Sequence, residues 1–286
     1  MHPSLLLLTD SRLPAGGHAH SGGIERAVAS GAVHNVPSLA SFLRGRLHTT
    51  GTLTAALTAA ACTQATVFAS ETAAEAADTP APLSAPLSAP LSAPLSAPLS
   101  APRRRDLRRG NPAHLDGAQP ADTPPDTPAV PHPWAVLDAE VDARTASPAQ
   151  RDASRTQGRL LLRVTRRVWP SLVLDDLAGI TPNPHHPIAL GAAAHAAGAT
   201  PEEAALAAAY HAITGPATAA VRLLGLDPVA VHALLAGLTP DLTAVAAQAC
   251  LSPTAPGWEG LPAHSSPALD LLAEQHAQAE VRLFIS

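Results

Sequence analysis

Apolar stretches rich in Ala, Leu and Val run through most of the chain, and a small polar residue followed by proline punctuates them. Five such pairs fall in the second half: Ser147-Pro148, Thr200-Pro201, Asp227-Pro228, Thr239-Pro240 and Ser266-Pro267. At an N-cap the polar oxygen accepts an orphan backbone N–H, and proline at the next position lacks the N–H that would otherwise go unpaired. Glu202 and Glu203 follow one pair in a first turn, where the helix dipole favours anions. Regular strand alternation with hairpin turns is absent. The pattern predicts helices over about 4–9, 22–30, 37–77 with a break near Gly51, 134–146, 148–169, 187–197, 201–224, 228–237, 240–250 and 267–282. Gly198, Gly225 and Gly237 stand where glycines stop helices. Gly215-Pro216 lies inside the 201–224 helix and predicts a kink there. The expected fold is all-α, a single helical-bundle domain.

One segment departs from this pattern. Residues 78–133 hold much of the proline, and from Ala81 the tetrapeptide Ala-Pro-Leu-Ser repeats five times before Ala101-Pro102. Proline removes amide donors and favours extended backbone, and a period of four is too short for a solenoid. We read 78–133 as a disordered, Pro-rich insertion between two parts of one domain, 1–77 and 134–286. Arg103, Arg104, Arg105, Arg108 and Arg109 follow the repeats. They read either as a solvated basic cluster or as a dock for an acidic partner. Without the insertion about 230 residues remain, an ordinary domain length.

Composition narrows the function classes. Aromatic residues make up only 2%, so the core must be built from small and aliphatic side chains that let helices approach closely. The net charge of −5 argues against a nucleic-acid binder. The chain has no lysine, which excludes a Schiff base and a Walker-type phosphate lysine. Cys62 and Cys250 lie far apart and outside any CxxC, so they form neither a disulfide framework nor a zinc knuckle. Two free thiols fit a reducing cytoplasm. The Leu5–Leu8 run is too short for a signal peptide. The nearest candidate for a membrane span, Leu206 to Leu226, contains His211, Pro216 and Arg222, and no span is expected.

A search for catalysis finds no nucleophile elbow and no HExxH, so no catalytic residue is assigned. Asp175 and Asp176 are adjacent on a loop-like stretch and read as surface or capping carboxylates. Histidine is the tempting signal: His18 and His20 lie in a glycine-rich loop, and His185 and His186 precede Pro187. Imidazole suits nickel or zinc, but two ligands do not close a site, and no metal and no cofactor is assigned. The loop around Gly16 and Gly17 could cradle a phosphate, or could simply turn the chain tightly. The stretch Arg282-Leu283-Phe284-Ile285-Ser286 places three apolar residues together, to be tucked into their own domain or into a partner.

Several of these stretches together resemble the UreF family of urease accessory proteins. They are Leu5 to Gly17 followed by His20-Ser21-Gly22-Gly23-Ile24-Glu25; Gly158-Arg159-Leu160-Leu161; His185 to Gly191, then Tyr210 and Ala219 to Leu223; and Arg282 to Ser286. The Pro-rich insertion falls outside the resemblance. The resemblance implies an all-α protein that dimerises and performs no covalent chemistry. It further implies binding to a UreD/UreH-type accessory protein and recruitment of the nickel-carrying UreG GTPase to apo-urease. By position, Arg282, Leu283, Phe284 and Ile285 match the family's partner-binding tail, and Tyr210 lies in the helix resembling its dimer contact. Arg222 matches a family arginine suited to a buried pair or an interface, while Gly16 and Gly17 shape the loop. Two rival readings are a helical small-molecule binder or enzyme using His185, His186 and Tyr210, and a nickel chaperone binding metal through His18, His20 or His185.

Overall fold

A computed structural model describes residues 2–78, 131–251 and 258–286. Among them there is no strand. The twelve helices are α1 (Pro3–Leu8), α2 (Ile24–Ala29), α3 (Val36–Arg46), α4 (Thr52–Asp78), α5 (Pro133–Arg144), α6 (Pro148–Val168), α7 (Leu172–Ile180), α8 (His186–Ala196), α9 (Pro201–Leu224), α10 (Pro228–Gly237), α11 (Thr239–Cys250) and α12 (Pro267–Ala277). Residues 1–76 and 131–286 belong to one compact unit. The Ala-Pro-Leu-Ser repeats and the arginine cluster after them lie outside the described residues.

The all-α expectation holds, and the caps explain much of it. Ser147, Thr200 and Asp227 each accept a backbone N–H in the first turn, and Thr200 forms a reciprocal capping box with Glu203. The other two pairs work differently. Ser266 occupies its cap position without a side-chain bond, and Thr239 is already helical, because α11 follows α10 with only Leu238 between them. Gly237 therefore ends no helix in a left-handed turn, whereas Gly198 and Gly225 do adopt positive φ. α12 stops at Ala277 rather than at 282, which frees the last residues to run back over the domain.

The sequence reading misses α7. Asp175 and Asp176 lie in this helix, capped by Ser171, and both have partners. Asp175 pairs with Arg166 at 2.7 Å, and Asp176 accepts from the Trp134 indole at 2.8 Å.

α8 sits at the centre. Residues Pro187 to Ala194 are buried on every side, as expected of a helix apolar all round. α6 and α9 flank it, and α11 packs on α9. Small residues make the crossings close: Gly191 faces the α4 backbone at Thr58 and Cys62, and Gly158 faces the backbone of Pro184 to His186.

No break interrupts the long N-terminal helix near Gly51. A π turn over Leu47–Gly51 joins α3 to α4 instead. The joined helix, Val36–Ala77, is long and apolar enough to cross a membrane, and 61% of its apolar window is buried inside the domain, as for a core helix. The stretch at 206–226, the nearest candidate by sequence, lies mostly in α9, which ends at Leu224 and does not meet that test.

α9 runs unbroken through Pro216. Proline leaves the carbonyl four residues back, Ala212, without its helical donor. Arg46 supplies one: its Nε donates to the Ala212 carbonyl at 2.9 Å, and its Nη1 donates to the Gly22 carbonyl at 2.9 Å. A Cβ on Gly22, at φ +61°, would lie 3.0 Å from Pro216 Cγ and 3.2 Å from the guanidinium, so a side chain there would crowd both and sit on strained backbone. Burial pushes the Arg46 guanidinium down to about 10, still charged at neutral pH. One residue thus ties α3, the glycine loop and α9 together. Arg46→Met should cost about 2 kcal/mol in urea unfolding, because two carbonyls lose their donor.

Candidate partner-binding surface

The C-terminal residues are laid on the glycine-rich loop. The Ile285 N–H donates to the Ala19 carbonyl at 2.7 Å, and the Ser21 N–H donates to the Ser286 carbonyl. Glu25, in the first turn of α2, accepts from the N–H groups of Leu283 (2.8 Å) and Phe284 (3.2 Å). His20 Nδ1 lies 2.5 Å from Ser286 Oγ, and His276 Nε2 lies 3.2 Å from the Phe284 carbonyl. Gly16 turns the loop at φ +79° with Leu160 of α6 against it, whereas Gly17 faces open space.

The chain bends at Leu283 and Phe284, where two consecutive N–H groups turn to the one Glu25 carboxylate, and the side chains there divide between core and solvent. Phe284 is buried in the domain core, 9% exposed, while Leu283 and Ile285 are 77% and 62% exposed. Arg282 is exposed as well. The four tail residues named from sequence therefore divide: Phe284 anchors the tail to its own domain, and its neighbours face outward. An open groove of about 450 Å³ runs beside the tail, lined by Ala19, Arg222, Leu223, Leu283, Phe284 and Ile285. Arg222 is exposed there and makes no ion pair among the described residues. The surface thus combines outward aliphatic side chains with two guanidinium groups.

The histidines separate. The His185 ring is fully buried; its Nε2 lies 2.9 Å from Asp142 Oδ1, and its backbone N–H donates to Asp138 at 2.8 Å. Asp138, Asp142 and His185 have ligand atoms close enough to hold a cation. Arg155 already supplies positive charge there, donating to Asp138 at 2.9 Å and to Asp142 at 2.5 Å. Burial lowers the His185 pKa. His186 turns elsewhere, its ring 6.2 Å from that of His211, which in turn lies 6.2 Å from the half-exposed Tyr210. Nothing is described of the His18 side chain.

Burial, then the neighbouring His211 and His20 rings, pushes His186 down to about 3, and burial pushes His211 down to about 4. Both lie below the ordinary 6.5, so the folded state favours neutral rings. Their stabilisation is present above pH 6.5 and is lost as pH falls towards 4 and 3. Within that window each ring should cost up to about 1.4 kcal/mol per pH unit. The melting temperature should fall from pH 7 to pH 5, and His211→Gln should flatten the fall.

Fold and surface together define an all-helical protein with a peptide-like tail pinned across a glycine loop. The UreF family model matches residues 124–239. Urease accessory protein UreF of Mycobacterium marinum is 37% identical over 99% of this chain and 97% of its own length. The protein of that name from Mycolicibacterium vanbaalenii is also 37% identical, over 99% and 98%. That of Mycobacterium tuberculosis is 34% identical, over 99% and 97%. The chain belongs to the UreF family of urease accessory proteins.

Proposed function

We propose that the chain is required for urease maturation as a non-catalytic cytoplasmic platform. It links a UreD/UreH-type accessory protein and the UreG GTPase, and presents them to apo-urease for nickel insertion. Nickel is the cargo of the assembly rather than a resident cofactor. The tail carries this reading: Glu25 and Phe284 hold it in place, so that Leu283 and Ile285 face solvent at little entropic cost to binding. Arg282 and Arg222 supply directional polar contacts at the rim, as arginines do at interfaces. Tyr210, half-exposed on α9, is the proposed contact between two copies within the complex.

The test is reconstitution from purified proteins. The chain with its UreD/UreH-type partner should run as one species that retains UreG when GTP and Mg²⁺ are added. Separate elution of the chain from both partners would overturn the proposal.

A further inference from the structure

A second surface stands apart from the tail, on the carboxyl half of α6 where it meets α7. α6 buries Gly158, Leu161, Leu162 and Thr165 and turns Arg159, Arg163, Arg166 and Arg167 to solvent. These arginines, with Leu162, Ala178, Pro182 and Asp175, line an open groove of about 430 Å³. Among the described residues only Arg166 of the four is neutralised, by Asp175 at 2.7 Å. The neighbouring Asp176 faces away, taken by the Trp134 indole. Arg159, Arg163 and Arg167 make no hydrogen bond or ion pair among the described residues.

Intramolecular roles do not account for this stripe. Cations in a last turn favour the helix dipole, which covers Arg166 and Arg167 but not Arg159 and Arg163 further back. Like charges four residues apart on a helix repel, so the row of 159, 163 and 167 works against α6 itself. The chain as a whole carries −5, which makes a local row of unpaired arginines more distinctive.

We propose that the α6–α7 groove docks an acidic segment of a partner protein, its carboxylates pairing with Arg159, Arg163 and Arg167. Charge complementarity selects the chemistry, because guanidinium forks match carboxylates. Geometry selects a peptide over a phosphate. The arginines are strung along the helix one turn apart rather than converging on a point, and Leu162, Ala178 and Pro182 give an apolar floor for side-chain methylenes. Stacking of nucleic-acid bases is disfavoured, because no aromatic side chain lines the groove. The amino end of α6 holds α12 through Ser147–Glu274 and Gln150–Asp270 contacts, so the groove and the tail are separate features. This inference does not rest on the urease reading.

The test uses the full chain and a fluorescein-labelled peptide of alternating Glu and Ala, with a Gln-for-Glu peptide as control. Anisotropy should show binding that weakens as salt rises and is absent for the Gln peptide. Arg159→Gln/Arg163→Gln should weaken it by at least about tenfold. Arg44→Gln, at an exposed cation on α3, which packs on α9 and α10, should leave it unchanged. Circular dichroism of each variant guards against misfolding, and hydrogen exchange should slow in α6 and α7 when the peptide binds. The proposal is overturned if the Glu peptide fails to bind at about 1 mM or if the double variant binds as wild type. It is equally overturned if inorganic pyrophosphate displaces the peptide and binds more tightly, which would mark a phosphate site instead.

Discussion

Leu283→Asp/Ile285→Asp should weaken capture of the UreD/UreH-type partner by at least about a hundredfold, with the melting temperature unchanged. Both side chains already face solvent at 77% and 62% exposure, so a carboxylate costs the isolated fold little. At an interface the same carboxylates would be desolvated without partners, which is far more costly. Phe284→Ala acts at the other level. It empties a core position and should cost about 3 kcal/mol in denaturant unfolding. Partner capture should then fall only as far as the tail loosens. Surface plasmon resonance with the immobilised partner, beside urea melts, separates the two effects. Equal loss of stability and capture in both variants would mean that the tail has no outward role.

Gly158→Ala should be the most damaging glycine-to-alanine change among the described residues. A Cβ there would lie 2.0 Å from the Pro184 carbonyl oxygen and 2.7 Å from the His185 carbonyl carbon, both backbone atoms. No rotamer relieves that contact, so α6 and the 184–186 segment must separate, which also strains the Asp138–His185–Arg155 network. A loss of about 3 kcal/mol or more is expected, at the upper end for overpacking. Gly191→Ala, against Thr58 and Cys62 of α4, should follow closely. Gly17→Ala meets nothing and serves as the control. Thermal melts of the three variants check the order.

Helix starts were largely legible in the sequence because a cap oxygen followed by proline is a local signal. α7 was not, since Ser171-Leu172-Val173-Leu174 offers no proline after the cap and too short an apolar run to declare its period. The role of Arg46 was equally hidden. It donates to carbonyls, which every residue has, and one of them lies 166 positions away. At the candidate site, the apolar tail stood out by its composition. Which of Leu283, Phe284 and Ile285 points inward was not decidable from sequence, because the bends at Leu283 and Phe284 are fixed by the Glu25 carboxylate, 258 and 259 positions away. The stripe at 159, 163 and 167 was not singled out in the sequence, because only the position of α7 reveals that Asp175 reaches one arginine and leaves three.

The most direct measurement is urease activation in a defined mixture of apo-urease, the UreD/UreH-type protein, UreG, nickel and GTP. With the chain present, urease activity should appear and depend on GTP. Without it, or with the Leu283→Asp/Ile285→Asp form, activity should stay at background. Activation at the same rate and extent in the absence of the chain would contradict the account.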